Sequence, residues 1–117
     1  MQECIFCKIA SGEIPVVPVY ETVDVIAFDD INPQAPVHTL VIPKAHVVSL
    51  ADPALTPEIV SAVMLAVNEV ARAKGVEASG YRTILNTGPD SGQEVFHLHV
   101  HVLGGKRMPP DMVCTDE

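Results

Sequence analysis

The twelve residues EVFHLHVHVLGG, 94–105 of a 117-residue chain, place His97, His99 and His101 at every second position with Leu98, Val100 and Val102 between them. Alternation of period two, closed by Gly104 and Gly105, reads as a β-strand, in which successive side chains point to opposite faces. The three imidazoles then share one face and the aliphatic residues fill the other, which suits a strand lying over a packed core. A lone histidine carries no message, since most are satisfied core or surface rings, but three in register point to a site. One zinc ion held by all three is the first arrangement to weigh, because catalytic zinc often keeps three protein ligands. At about 3.4 Å per residue the Cα atoms of His97 and His101 lie roughly 13 Å apart, too far for one ion with Zn–N near ~2.1 Å. Each imidazole is therefore expected to have its own task along an extended substrate.

The neighbouring segments supply the rest of an α+β chain with an antiparallel sheet. Just upstream, Thr87-Gly88-Pro89-Asp90-Ser91-Gly92 is a Gly-rich loop. It is either a plain hairpin turn or, since it ends at Gly92-Gln93-Glu94 beside the imidazole face, a source of backbone N–H groups for an oxyanion. Residues 81–86 read as a strand. Thr56-Pro57-Glu58 is a helix start with cap, N1 proline and first-turn acid. Ile59, Val60, Val63, Met64, Val67 and Val70 recur at three and four until Lys74-Gly75, giving one long amphipathic helix. Residues 37–42 form a strand carrying His38, and 16–21 and 23–29 a hairpin about Thr22. Asp30 to Pro36 is a rigid loop with two prolines. Residues 4–10 have helical spacing, stopped by Ser11-Gly12.

A composition of 48% hydrophobic and 19% charged residues without low-complexity tracts is that of a globular chain of one domain. No run approaches the roughly 18 apolar residues of a membrane span, and MQECIFCKIA lacks the basic and apolar regions of a secretion signal, so a cytoplasmic location is expected. The net charge of −8, with seven scattered Lys and Arg residues, disfavours duplex nucleic acid as a partner. A small phosphorylated ligand stays open, because backbone N–H groups and imidazoles can hold anions. Of three cysteines, Cys4 and Cys7 form C-x-x-C, which could be half a zinc site, two buried thiols or a redox dithiol. With only three residues before Cys4 there is no strand for a thioredoxin-like unit, so zinc ranks first and redox last.

In these residues the chain resembles the histidine triad family, whose signature alternates three histidines with apolar residues and ends on two of them. His97-Leu98-His99-Val100-His101-Val102-Leu103 matches it throughout. The similarity extends through Cys4-Ile5-Phe6-Cys7-Lys8-Ile9, the loop from Phe28 to Pro36, His38, Leu40-Val41-Ile42-Pro43-Lys44, and Asn86-Thr87-Gly88 to Gly92-Gln93. It is nearest to the Hint branch of nucleoside phosphoramidases. The resemblance implies a HIT-like five-stranded antiparallel sheet with one long helix and a short N-terminal helix, in a domain spanning 1–117 (core 3–105, tail 106–117), with two sheets joined in a homodimer.

The resemblance also implies a purine nucleotide site. Ile5, Phe6, Phe28, Ile31 and Leu40 would surround the base and Asp30 would hold the ribose hydroxyls. Asn86, Gly92, Gln93 and Glu94 would lie near the α-phosphate, with His99 as nucleophile and His38, His97 and His101 about it. The implied reaction is hydrolysis of purine nucleoside 5′-phosphoramidates through a nucleotidyl-His99 intermediate, with no metal in the chemical step. Imidazole suits that role, being neutral near pH 7 with a pKa around ~6.5, nucleophilic, and a good leaving group. The alternatives are a dinucleoside polyphosphate hydrolase and a nucleotide-binding or zinc-stabilised scaffold with negligible turnover. A structural zinc is implied on Cys4, Cys7, His46 and His97. Two positions depart from the family pattern: Glu94 stands where serine is common, and the tail Met108-Pro109-Pro110-Asp111-Met112-Val113 has no tryptophan.

Overall fold

The computed structural model describes residues 4–113; Cys114 and the end of the tail lie outside them. The elements are α1 (Ile5–Ser11), β1 (Tyr20–Glu21), β2 (Val25–Asp29), β3 (Val37–Pro43), α2 (Pro57–Ala73), β4 (Tyr81–Ile84) and β5 (Val100–Gly104). All five strands pair antiparallel in the order β1-β2-β3-β5-β4. None of the described helices is long and apolar enough to cross a membrane.

The long helix begins where its sequence says: Thr56 caps it by accepting the Ile59 N–H at 3.2 Å, and Pro57 takes the first helical position. Its apolar stripe, Val63, Val67 and Val70, packs on Val25, Ala27, Val41, Leu98, Val100 and Val102 from one face of the sheet. On the other face Phe6 and Ile9 of α1 pack on Ile26, Phe28, Leu40 and Ile42. β2 and β3 are thus apolar at both parities because both faces are covered. α1 itself is closed by Gly12 at φ 87, a left-handed conformation that costs glycine little.

Several expected boundaries move. The run 16–21 yields only a two-residue β1, since Pro18 interrupts it and cannot donate to a ladder. β2 starts at Val25 and not Val23, because Thr22 Oγ1 accepts the N–H groups of Asp24 and Val25 and makes the turn there. β4 ends at Ile84, short of Asn86. β5 starts only at Val100, after a bend at residues 95–97, so His97 and His99 precede the paired strand. The alternation survives the bend. The Leu98 N–H donates to the Val47 carbonyl at 2.7 Å, Leu98 stays in the α2-side core, and the histidine rings lie on the α1 side against Phe6.

Candidate active site

Strand register brings the histidines together. Leu40 of β3 pairs with His101 of β5, and His38, two residues earlier on β3, sits with its ring centroid 5.1 Å from that of His101. His101 is in turn 5.1 Å from His99. Hydrogen bonds then assign the protons. The Gln34 N–H donates to His38 Nδ1 at 2.9 Å, so the neutral ring carries its proton on Nε2 and donates it to His101 Nδ1, 2.9 Å away. His101 is left with its proton on Nε2. His99 Nδ1–H donates to the carbonyl of His97 at 2.8 Å, which leaves the lone pair of His99 on Nε2. Burial, aided by the neighbouring His99 and His38, pulls the His101 pKa down to about 4 against an opposing pull from Asp30, so the ring is a neutral donor at pH 7.

The His99 and His101 rings open on a cleft of about 560 Å³, while His38 is buried behind them and does not line it. Of the residues expected at a nucleotide site, Ile5, Phe6, Phe28, Asp30, Ile31, Leu40, Asn86, Gly92, Glu94, His99 and His101 all line it. Gln93 does not. It is buried, its Oε1 accepts the Gly88 N–H at 2.8 Å, and its Nε2 donates to the carbonyls of Val48 and Val95, so it pins the loop from within. Asp29, Ile9, Ile14, Pro15, Val16 and Val95 also line the cleft without having been singled out. For Ile9 the signal was available, four residues after Ile5 on the same helix face.

Polar groups are sparse in the cleft. Asp30 Oδ1 accepts the Asn32 N–H at 2.8 Å, and Oδ2 lies 3.4 Å from His38 Nε2. Asp29 is taken up by Thr39 and Lys74. In the preceding loop Gly92, at φ 91, donates its N–H to the Pro89 carbonyl, and Gln93 donates to that of Gly88. Among the described residues only the Glu94 N–H of this trio has no acceptor. Among the described residues no Lys or Arg lines the cleft, whereas Asp29, Asp30 and Glu94 do.

His97 is fully buried and turned away from the cleft into a second cluster. Its Nε2–H donates to the Pro43 carbonyl at 2.8 Å, which points the Nδ1 lone pair at Cys4 Sγ (3.3 Å), Cys7 Sγ (3.6 Å) and His46 Nδ1 (3.2 Å). Cys7 Sγ and His46 Nδ1 are 3.1 Å apart, and all four ligand atoms lie within 4.8 Å of one another. A zinc tetrahedron with Zn–N near ~2.1 Å and Zn–S near ~2.3 Å has edges of roughly 3.4–3.8 Å, which these distances approach to within about 0.5 Å. The residues fit zinc in number, type and geometry. Without a cation, burial and the adjacent Cys4 push the Cys7 thiol up to about 11; a coordinated metal would deprotonate it. Asp30, His38 and His101 also lie together, but the Gln34 N–H already occupies His38 Nδ1 and obliges Nε2 to keep its proton, so that trio is a hydrogen-bond relay and not a metal site.

Comparison with known proteins agrees with this geometry. Residues 11–108 match the family model described as the HIT domain. The chain is 51% identical over 107 residues to Protein HitA of Neisseria gonorrhoeae, covering 89% of this chain and 97% of that protein. It is 46% identical over 111 residues to a 14 kDa zinc-binding protein of Zea mays (91% and 86% covered). It is 42% identical over 110 residues to the purine nucleoside phosphoramidase of Escherichia coli K12 (93% and 92% covered). Among solved structures, a histidine triad protein from Clostridium difficile superposes with a TM-score of 0.88 at 51% identity, covering 95% of this chain and 99% of that one.

Proposed function

The chain belongs to the HIT domain family, and on that premise we propose that it hydrolyses purine nucleoside 5′-phosphoramidates through a covalent nucleotidyl-His99 intermediate. The observation that carries the reading is the 2.8 Å hydrogen bond from His99 Nδ1–H to the His97 carbonyl, because it leaves Nε2 as a lone-pair nucleophile on a residue lining the cleft. The 42% identical relative named a purine nucleoside phosphoramidase supports the substrate class.

In this reading the base lies among Ile5, Phe6, Phe28, Ile31 and Leu40, and Asp30 accepts from the ribose hydroxyls. Asn86, Gly92 and the Glu94 N–H sit near the α-phosphate, and Gln93 holds their loop in shape. His99 Nε2 attacks phosphorus; a phosphorus–imidazole bond forms as the bond to the amine breaks, and the amine leaves with a proton drawn from solvent, which the water consumed in the second step returns. Water then attacks the same phosphorus, the imidazole departs, and a nucleoside 5′-monophosphate is released. His101 Nε2–H donates to a phosphoryl oxygen as charge develops, its orientation set by His38. Zinc on Cys4, Cys7, His46 and His97 would be structural, tying α1 to the sheet and taking no part in the chemical step. Those two thiols must stay reduced, which suits the cytoplasm.

The partner in assembly is a second copy of the chain. Of the two sheet edges, β1 is short and preceded by Pro15 and Pro18, a blunted edge, whereas β4 ends on exposed Ile84, and helix α2, whose Asn68 accepts the β4 Tyr81 hydroxyl at 2.6 Å, exposes Val60, Met64 and Leu65. Pairing β4 with its symmetry mate would join two sheets and cover these residues; sedimentation should give a dimer.

Turnover of an adenosine phosphoramidate beside a diadenosine polyphosphate, by wild type and His99→Ala, tests the function. The phosphoramidate should be the better substrate, and the variant should lose at least about 10³ in kcat while still binding AMP. Preference for the polyphosphate, or negligible turnover of both by wild type, would overturn the reading in favour of a polyphosphate hydrolase or a scaffold.

A further inference from the structure

Cys4 and Cys7 bracket Ile5 and Phe6, the first two cleft-lining residues of α1. α1 has seven residues, well below the ~12–15 at which an isolated helix becomes marginally stable in water, so its place depends on what ties it down. One tie is the burial of Phe6 and Ile9 against the sheet. The other is the sulfur–imidazole cluster, which links the start of α1 to His46 after β3 and to His97 before β5. The Phe6 ring stands edge-on to Phe28 at 5.8 Å and to His99 at 5.1 Å, so any shift of α1 moves the wall of the cleft beside the nucleophile. By contrast, the core under α2 is built from residues that take no part in the cluster.

Resting on the reading of the cleft as a nucleotide site, we infer that Cys4, Cys7 and His46 are positioning residues for nucleotide binding, clamping α1 through zinc so that Ile5 and Phe6 are held where the base is gripped. Nucleotide affinity then depends on the metal, while the rate of the chemical step depends on it little, because the His97 carbonyl that orients His99 is also held without metal, by the adjacent Leu98 N–H bond to the Val47 carbonyl and by the His97 ring's bond to the Pro43 carbonyl. If loss of the clamp leaves α1 docked in about a tenth of molecules, apparent affinity falls about tenfold.

His46→Gln is the cleanest variant, since His46 is exposed and outside both α1 and the cleft. Cys4→Ser is its complement: Cys4 Sγ accepts the Cys7 N–H at 3.2 Å as the helix cap, and serine keeps a cap while weakening the metal site. Wild type as purified, wild type stripped with a chelator and then reloaded with zinc, and the two variants would be compared for AMP binding by calorimetry, for kcat and KM, and for amide hydrogen exchange. The expected result is AMP affinity about tenfold weaker and KM raised in step in the stripped protein and both variants, with kcat within about threefold and affinity restored by zinc in stripped wild type alone. Exchange should quicken at residues 5–11 and not in α2.

Equal AMP affinity with and without metal would overturn the inference, as would failure to bind zinc. Exchange that quickens throughout α2 would also overturn it, making zinc a staple for the whole fold and not a clamp on one wall. If zinc-loaded wild type fails to bind AMP, the nucleotide reading itself fails, an outcome distinct from binding that ignores the metal.

Discussion

The carbonyl of His97 accepts the Nδ1 proton of His99 at 2.8 Å while the His97 ring sits among two sulfurs and a second imidazole. One residue therefore serves two sites: its side chain belongs to the candidate metal cluster and its backbone selects the tautomer of the proposed nucleophile. A similar device acts at His38, where the Gln34 N–H selects the tautomer that points a proton at His101.

The relay gives a first prediction. His38→Ala leaves His101 free to adopt either tautomer and removes a neighbour 2.9 Å away, so kcat should fall by about 10²-fold, the usual scale for a misplaced donor. KM for the phosphoramidate should change little. Steady-state kinetics decide it, and an unchanged kcat would remove His38 from the mechanism.

Asp30→Ala should weaken ribonucleotides about tenfold more than 2′,3′-dideoxy analogues. The carboxylate lines the cleft and can accept two hydroxyl hydrogen bonds at once, each worth on the order of 1 kcal/mol. Competitive binding with both ligand types measures this, and equal losses would mean that Asp30 does not read the ribose.

Much of this arrangement could be read before folding, and the exceptions have physical causes. Period-two alternation at 97–103 sorted histidines from core residues correctly even though a bend precedes Val100, because the bend preserves the alternation of faces. Thr56-Pro57-Glu58 located the start of α2 to the residue. The face under α1 was not placed, since β2 and β3 are apolar at every position from Val25 to Phe28 and from Leu40 to Pro43, and a two-sided strand has no period to read. The Gln34 donor was invisible for another reason: backbone N–H groups are the same in every sequence. Gln93, expected beside phosphate, carries a side chain that any solvent-facing loop would tolerate; only the fold turns it inward.

Acid should destabilise the protein partly through His101. Its folded pKa of about 4 lies below the ~6.5 of an unfolded imidazole, so between these values the unfolded chain binds the extra proton. Its contribution is complete above about pH 6.5 and is lost as pH falls through that window toward 4. The half-exposed ring limits it to on the order of 1 kcal/mol. Denaturant titrations of wild type and His101→Gln should show a shallower loss of stability between pH 6.5 and 4 in the variant; identical slopes would refute the assignment.

Glu94 adds a carboxylate to a cleft that, among the described residues, has no Lys or Arg on its wall. At a separation near ~5 Å and partial solvent screening, its repulsion of one phosphate charge is worth about 1 kcal/mol, so Glu94→Gln should improve kcat/KM for multiply charged polyphosphates about fivefold and for a neutral alkylamine phosphoramidate much less. Inhibition by inorganic triphosphate offers an independent check, and no change in either quantity would show that the carboxylate points away from the ligand.

The central claim, two displacements at one phosphorus through His99, is tested most directly by stereochemistry. Each in-line attack inverts phosphorus, so an adenosine phosphoramidate made chiral with one sulfur, hydrolysed in heavy-oxygen water, should yield nucleotide with net retention of configuration whether or not the intermediate accumulates. Net inversion would mean that water attacks directly, and would contradict the nucleotidyl-His99 account.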